Sequence, residues 1–438
     1  MVFDDDSPCR KSREGGCCRW RGDAMILGRQ LALRPAPGQL AALSRTSGCA
    51  RWAYNWAIAQ QREALARGEK LPTAIDLHKA LNKLKKLPAE DGGVPWMYET
   101  SKCAPQEALR DAERAWRNCF AKRAHRPCFR KRTDGGRFRL TGKIRVANGR
   151  VTLPRIGCVR IASGDRGYAP DGVYSTISLT EVAGRWFASV RVQVEEAAEK
   201  TGPVVGIDVG VRDLAYLSDG TIFANPKALA CEKRRLRKAT LAVARKRRTA
   251  DKRLGAWRKG ERRQRSNRLK QVHRKIARLQ ARVAGVRRDA LHKATTWIAK
   301  AYAGVVVEDL RVKNMTRRCR GQGRAAKAGL NRAILDSGLG QIRALLAYKM
   351  PLHGGKLIAV SAAYTSRTCS VCGARNDPGA SKTYECASCG AILDRDFNAA
   401  CNIKAAASWP EALNARGGGG SPAVARPTAA PGEARIGA

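Results

Sequence analysis

The chain has 438 residues, 44% of them hydrophobic, enough length for roughly two to four domains with sizeable cores. Its 84 Lys+Arg against 37 Asp+Glu leave a formal charge of +47, which opposes compaction unless a polyanion neutralises it. Nucleic acid held through its phosphates fits that surplus, whereas a membrane-spanning protein is excluded because no uninterrupted apolar run reaches spanning length.

Residues 1–24 carry acids first and no apolar signal core, so they read as a disordered extension and not a secretory leader. Met25 opens a more ordered stretch and is a candidate true start, alongside Met1. From about 38 to 125 the pattern is helical, with Cys49, Trp52, Trp56 and Ala59 at roughly helical spacing. Ordinary core packing is the expectation for most of Trp52, Tyr54, Trp56 and Trp116. The stretch "AHRPCFRKRTDGGRFRL" interleaves Phe129 and Phe138 with arginines, which suits phosphate contacts plus stacking and equally suits a solvated turn.

Alternation then replaces helical periodicity. "KIRVANGRVTLPRIGCVRI" and "VYSTISLTEVAGRWFASVRVQVEE" predict short antiparallel strands broken by Asn-Gly and Ala-Gly turns, a small β-module. Apolar strand-like runs follow at "PVVGIDVGV", "LAYLSD", "GVVVEDL" and "KLIAVSAA". Between the second and third lies a basic insertion with 24 Lys/Arg against three acids from Cys231 to Arg288. There Leu269, Val272, Ile276, Leu279, Val283 and Val286 form a heptad-like stripe, predicting an antiparallel hairpin with the preceding basic helix. The Ala/Pro/Gly-rich stretch after residue 405 reads as a disordered tail.

Acids stand at three element ends. Asp208 finishes one apolar run, Glu308 finishes another, and Asp394 and Asp396 open the helix-like "FNAACNIKAA". A carboxylate ending a buried strand is costly unless paired or on a metal. Acids so far apart in sequence converge when strands of one sheet are adjacent. Such a cluster suits phosphodiester hydrolysis with two Mg²⁺ ions held roughly 4 Å apart. The bland alternative is that each acid caps a helix or pairs with an arginine.

The fifteen cysteines are odd in number, with four tightly paired and the rest scattered, which predicts a reducing compartment and one metal site. Cys369 and Cys372 are separated by 13 residues from Cys386 and Cys389, the two-pair pattern of a Cys₄ zinc knuckle. Four protein ligands leave no open position, so the zinc is expected to be structural.

The motifs "GIDVGVRDLAYLSDG", "VVVEDLRVKNM" and "TSRTCSVCG…YECASCGAILDRDFNAACNI" together resemble the three RuvC motifs and zinc ribbon of the TnpB family. "LRPAPGQLAALSRTSGCARWAYNWAIAQ" and "RRDALHKATTWIAKAYAGVVVEDL" add to the likeness, which covers about residues 25–404. TnpB proteins are transposon-associated, RNA-guided DNA endonucleases related to the type V CRISPR effectors. The resemblance implies a multidomain α/β fold: a RuvC-like, RNase H-fold nuclease with a zinc ribbon, preceded by a helical recognition region and a small wedge β-barrel. The boundaries it implies are a wedge over 25–44 and 138–199, a helical recognition region over 45–137, and the nuclease over 200–365 with the basic insertion at 231–299. The zinc ribbon would cover 366–390, the last nuclease part 391–405 and the tail 406–438.

By the same resemblance Asp208, Glu308 and Asp396 would be the catalytic acids holding two Mg²⁺, with Asp394 the fallback for the third. Guide RNA and double-stranded target DNA would be the partners, and cleavage would fall beside a short flanking motif that the helical region near Arg51–Asn55 is a candidate to read. A bacterial cytoplasmic, nucleoid-associated location follows. The chain departs from the family pattern at its two ends and at Phe397 and Cys401. A miniature type V CRISPR effector shares the same nuclease and remains the alternative. A non-cleaving RNA-guided repressor should lack an acid, whereas all three are retained.

Overall fold

The computed structural model describes residues 25–407 apart from 166, 168, 196, 256–265, 319–322, 362, 378 and 380. The extension expected over 1–24, most of the hairpin turn and the tail from 408 onward lie outside the described residues. The chain divides into two compact units, one with the segments up to 196 and 227–289, the other with 197–226 and 290 onward.

In the first unit β1 (Met25–Arg34) leads to α1 (Pro37–Ala66), where Pro37 takes the first helical position that needs no N–H donor. α2 (Ala74–Lys86) starts on a reciprocal cap: Thr73 N–H donates to Asp76 Oδ2 at 3.1 Å and Asp76 N–H donates to Thr73 Oγ1 at 3.3 Å. α3 (Cys103–Phe120) completes the helical layer. The alternating stretch forms β2 (Arg137–Ala147), β3 (Arg150–Leu153), β4 (Gly157–Ile161), β5 (Gly172–Val182) and β6 (Arg185–Val194). With β1 these close a six-stranded barrel in the order β1-β4-β3-β2-β5-β6, so no strand edge is left unpaired. Closure joins the first strand to the last, from Met25 opposite Val194 to Ala32 opposite Phe187. The expected turns fall at Asn148-Gly149 (φ 52° and 66°) and Ala183-Gly184 (φ 53° and 82°), where two consecutive left-handed residues match the strand twist. Leu31, Leu140, Ile144, Val151, Ile177 and Leu179 fill the buried interior.

The second unit begins with β7 (Val204–Asp208), β8 (Asp213–Leu217) and β9 (Ile222–Ala224). The basic insertion forms α4 (Ala228–Leu254) and α5 (Asn267–Ala301). Glu232 near the start of α4 pairs with Arg282 well along α5 at 3.4 Å, which is what an antiparallel hairpin requires. Leu269 and Val283 of the predicted stripe are buried, with Val243 of α4 also buried, while Val286 stays exposed.

Then come β10 (Gly304–Glu308), α6 (Val312–Met315), α7 (Arg324–Ser337), α8 (Leu339–Leu352), β11 (Lys356–Val360), β12 (Thr383–Glu385), β13 (Ile392–Asp394) and α9 (Arg395–Ala405). One sheet runs β11-β10-β7-β8-β9, with β7, β10 and β11 parallel and β8 and β9 antiparallel. β7 and β10 are covered on both faces, which is why they read as continuous apolar runs, while β11 at the sheet edge is partly exposed. Ile207, Val305 and Val307 pack with Ile298, Leu346 and Met350 on one side, and Val204 and Val306 pack with Ile403 of α9 on the other. Among the described residues no helix is long and apolar enough to cross a membrane.

Candidate active site and metal centre

β7 and β10 are parallel neighbours with Ile207 opposite Val307, so Asp208 and Glu308 leave the sheet at the same end. α9 carries Asp396 in its first turn and lies along β7. That approach depends on Gly206, where an added Cβ would stand 2.2 Å from the Ala400 carbonyl oxygen and 2.6 Å from Lys404 N. The carboxyl groups therefore come from two strands and one helix.

They feel one another. Burial, followed by the neighbouring Glu308 and Asp396 charges, pushes the Asp208 carboxyl up to about 7. Burial also raises Glu308, opposed by a hydrogen bond in which the Thr365 hydroxyl donates to Glu308 Oε1. Asp396 is raised by burial and then by Asp394, against the pull of Arg395, Lys382 and Arg212. Raised carboxyls facing one another form an all-oxygen donor set that a hard divalent cation would relieve. Among the described residues only the four cysteines have three or more donor atoms all within 4.8 Å, so the carboxylates stand wider than the thiols.

Asp394 has separate work. Its Oδ1 accepts from Asp396 N–H at 2.9 Å and Phe397 N–H at 3.4 Å, capping α9, and its Oδ2 meets Lys382 Nζ at 2.9 Å. The fallback acid is thus committed to the helix start. Phe397 packs edge-on against Tyr216 with centroids 6.3 Å apart, and the Cys401 thiol lies 3.9 Å from the Ser218 carbonyl oxygen. Both departures from the family pattern are packing contacts.

Cys369, Cys372, Cys386 and Cys389 converge as their spacing predicts. Cys369 Sγ lies 3.8 Å from Cys389 Sγ, and Cys372 Sγ lies 3.6 Å from Cys386 Sγ. A tetrahedron with Zn–S bonds of about 2.3 Å has edges of about 3.8 Å, so the four sulfurs fit a metal of that size. Gly373 (φ 77°) and Gly390 (φ 70°) close the two turns, donating to the Cys369 and Cys386 carbonyls at 2.9 Å.

Sequence profiles of three families match the chain: a "Probable transposase" over 187–318, a "Helix-turn-helix domain" over 25–70, which here forms β1 and the whole of α1, and a "Cas12f1-like, TNB domain" over 340–403. "Putative RNA-guided DNA endonuclease InsQ" of Escherichia coli K12 is 32% identical over 386 residues, 85% of this chain and 90% of that protein. The chain belongs to the TnpB family. A second relative, "Putative RNA-guided DNA endonuclease" of Streptomyces pristinaespiralis, is 31% identical over 388 residues, covering 85% and 87% of the two chains. A solved Cas12f1–sgRNA–target DNA complex aligns over 87% of this chain and 99% of that one, at TM-score 0.44 and 11% identity, too low to bear on the fold.

Several residues around this TnpB-family site had no sequence signal. Buried Asn398 donates to the Thr368 carbonyl at 2.8 Å and accepts from Ser370 N–H at 2.7 Å. Asn402 donates to the Thr365 and Thr368 carbonyls at 2.8 and 2.6 Å. One face of α9 thus grips the loop that supplies Cys369 and also Thr365, the partner of Glu308. Hydrogen-bonding side chains of this kind pair across the fold, so no local spacing marks them. Gly206 opens the motif "GIDVGVRDLAYLSDG", but its close approach to α9 shows only in three dimensions. Gly206→Val should detach α9 from β7, costing about 1–3 kcal/mol by overpacking and cutting nuclease activity. A thermal melt beside a cleavage assay checks this, and an unshifted melt would refute the close-contact role.

Proposed function

We propose that the chain is a Mg²⁺-dependent, RNA-guided endonuclease encoded by a transposon, cutting double-stranded DNA beside a short motif at a single RuvC-like site. The observation that carries this reading is the convergence of Asp208, Glu308 and Asp396, with Asp208 pushed up to about 7. RNA-guided DNA cleavage is supported by the names of the relatives, each given as a "Putative RNA-guided DNA endonuclease" and each matched over most of its length. The mixed sheet, with its acids at the C-terminal ends of adjacent parallel strands, supports a RuvC-like RNase H fold for the second unit. The four-cysteine cluster supports a structural zinc ribbon, and the barrel with its helices supports a wedge and recognition region that holds guide RNA.

Two Mg²⁺ ions held by these carboxylates would supply an activated water and stabilise the leaving oxygen. The chain's own residues set the geometry. β7 and β10 fix Asp208 and Glu308 side by side, Thr365 orients Glu308, and the Asp394 cap aligns the helix turn that bears Asp396. The protein's positive surplus would hold RNA and heteroduplex through backbone and shape, leaving sequence to base pairing.

The test uses the protein with its copurified RNA, matching DNA with randomised flanks, and Mg²⁺. Wild type should cut, while Asp208→Ala should bind the same DNA and leave it intact. Cutting by Asp208→Ala at the wild-type rate would overturn the assignment.

A further inference from the structure

The first unit contains a cavity that the nuclease reading leaves unused. Trp52 and Trp56, one turn apart on α1, hold their rings nearly parallel (9°) with centroids 6.1 Å apart. Trp96 meets Trp52 edge-on at 88°, with centroids 6.1 Å apart. Together they wall a cavity of about 610 Å³ that Arg45, Arg51 and Thr100 also line. That volume lies within the roughly 300–1,000 Å³ usual for small-ligand sites.

Of the four aromatics whose helical spacing predicts mostly core packing, Tyr54 and Trp116 are buried, at 6% and 3% exposed. Trp52 and Trp56 are only half-buried, and Trp96 is 40% exposed. Three indoles left open around one hollow are a costly use of the residues that bury most area. Arg45 and Arg51 make no ion pair among the described residues, although Glu99 lines the same cavity. Asn55 is held by Arg130: its amide donates to the Arg130 carbonyl at 3.0 Å and accepts from Arg130 N–H at 2.8 Å, which fixes the side chain and leaves its second N–H.

We propose that this cavity receives one unpaired nucleotide, its base stacked on the tryptophans and its phosphate against Arg45 and Arg51. Flat aromatic walls recognise any base by its π-face, and guanidinium groups without carboxylate partners recognise phosphate. A base inside a duplex has both faces covered by its stacked neighbours, so the occupant that can stack on these rings is a splayed or single-stranded position. The proposal deepens the nucleic-acid reading above and rests on it.

The experiment photocrosslinks the purified complex in two arms, one with 4-thiouridine in the RNA and one with 5-iododeoxyuridine in the DNA, and maps adducts by peptide sequencing. Adducts on the peptides bearing Trp52, Trp56 or Trp96 are expected, and the arm that gives them identifies the strand. Adducts confined to other peptides, such as those of α4 and α5, would overturn the pocket while leaving nucleic-acid binding intact. No adducts and no retained nucleic acid would overturn the underlying reading instead. In parallel, Trp96→Ala should weaken binding of that strand roughly 5- to 150-fold, with Trp96→Phe restoring most of it. Trp96→Ala gives up the edge contact with Trp52 and should melt slightly below wild type, so binding is compared at a temperature where all three proteins remain folded. Unchanged binding by Trp96→Ala would refute stacking.

Discussion

Cys386→Ser should lose both its zinc and its DNA cleavage, although Cys386 performs no chemistry. A structural zinc contributes on the order of 10 kcal/mol to the local fold around it. Here that local fold runs without a break into the nuclease: Cys386 and Cys389 lead through β13 to Asp394, which caps α9 and so sets Asp396. Cys369 approaches from the other direction, in the loop that Asn398 and Asn402 hold against the same helix. Removing one thiolate frees both attachments at once. Metal content and cleavage should therefore fall together in Cys386→Ser, whereas Asp396→Ala should lose cleavage with its zinc retained. A zinc-free Cys386→Ser protein that still cuts at the wild-type rate would separate the knuckle from the carboxylates.

Asp208→Asn should abolish cleavage and yet raise stability in Mg²⁺-free buffer at about pH 8. The sign follows from where the proton sits. In the folded chain Asp208 holds its proton up to about pH 7, while an unfolded aspartate releases it near pH ~3.9. Between those values the folded state binds more protons, so stability falls as pH rises through that window and levels off above it. The three-unit difference sets a ceiling on the order of 4 kcal/mol, trimmed by solvent screening because the side chain is only half-buried. Asparagine cannot carry the charge, so the variant should lose this slope and melt higher than wild type. Adding Mg²⁺ should raise the wild-type midpoint more than the variant's. Identical melting curves for the two proteins from about pH 5 to 8 would refute the burial and like-charge repulsion that raise Asp208.

The elements that reach furthest from sequence are those whose pattern is local. Alternation around "VANGRV" and "EVAGRW" marked both hairpins because the turn residues and the flanking strands are neighbours in the chain. The paired cysteines were legible for the same reason. Barrel closure was not, since alternation makes β1 a strand but cannot choose β6 as its partner so far along the chain. β9 is three residues long, too short to show a period. Of the acids, Asp208 and Glu308 stood out as charges ending apolar runs. The resemblance puts Asp396 ahead of Asp394, and the cap that occupies Asp394 is visible only in the folded helix start. Trp52 and Trp56 have the same helical spacing whether they face a core or a hollow, so their openness had no sequence counterpart.

The order in which the acids occur has a consequence for the nascent chain. Asp208 and Asp396 are separated by 396 − 208 = 188 positions, and at synthesis rates of about 5–20 residues per second the second follows the first by roughly 10–40 s. All six barrel strands precede Asp208, so the barrel can close before any part of the acid trio has been made. A ribosome stalled ahead of Arg395 would display that barrel with two acids and no α9 on Gly206. On the assignment proposed for the three acids, the nascent chain would carry an incomplete carboxylate set throughout that interval.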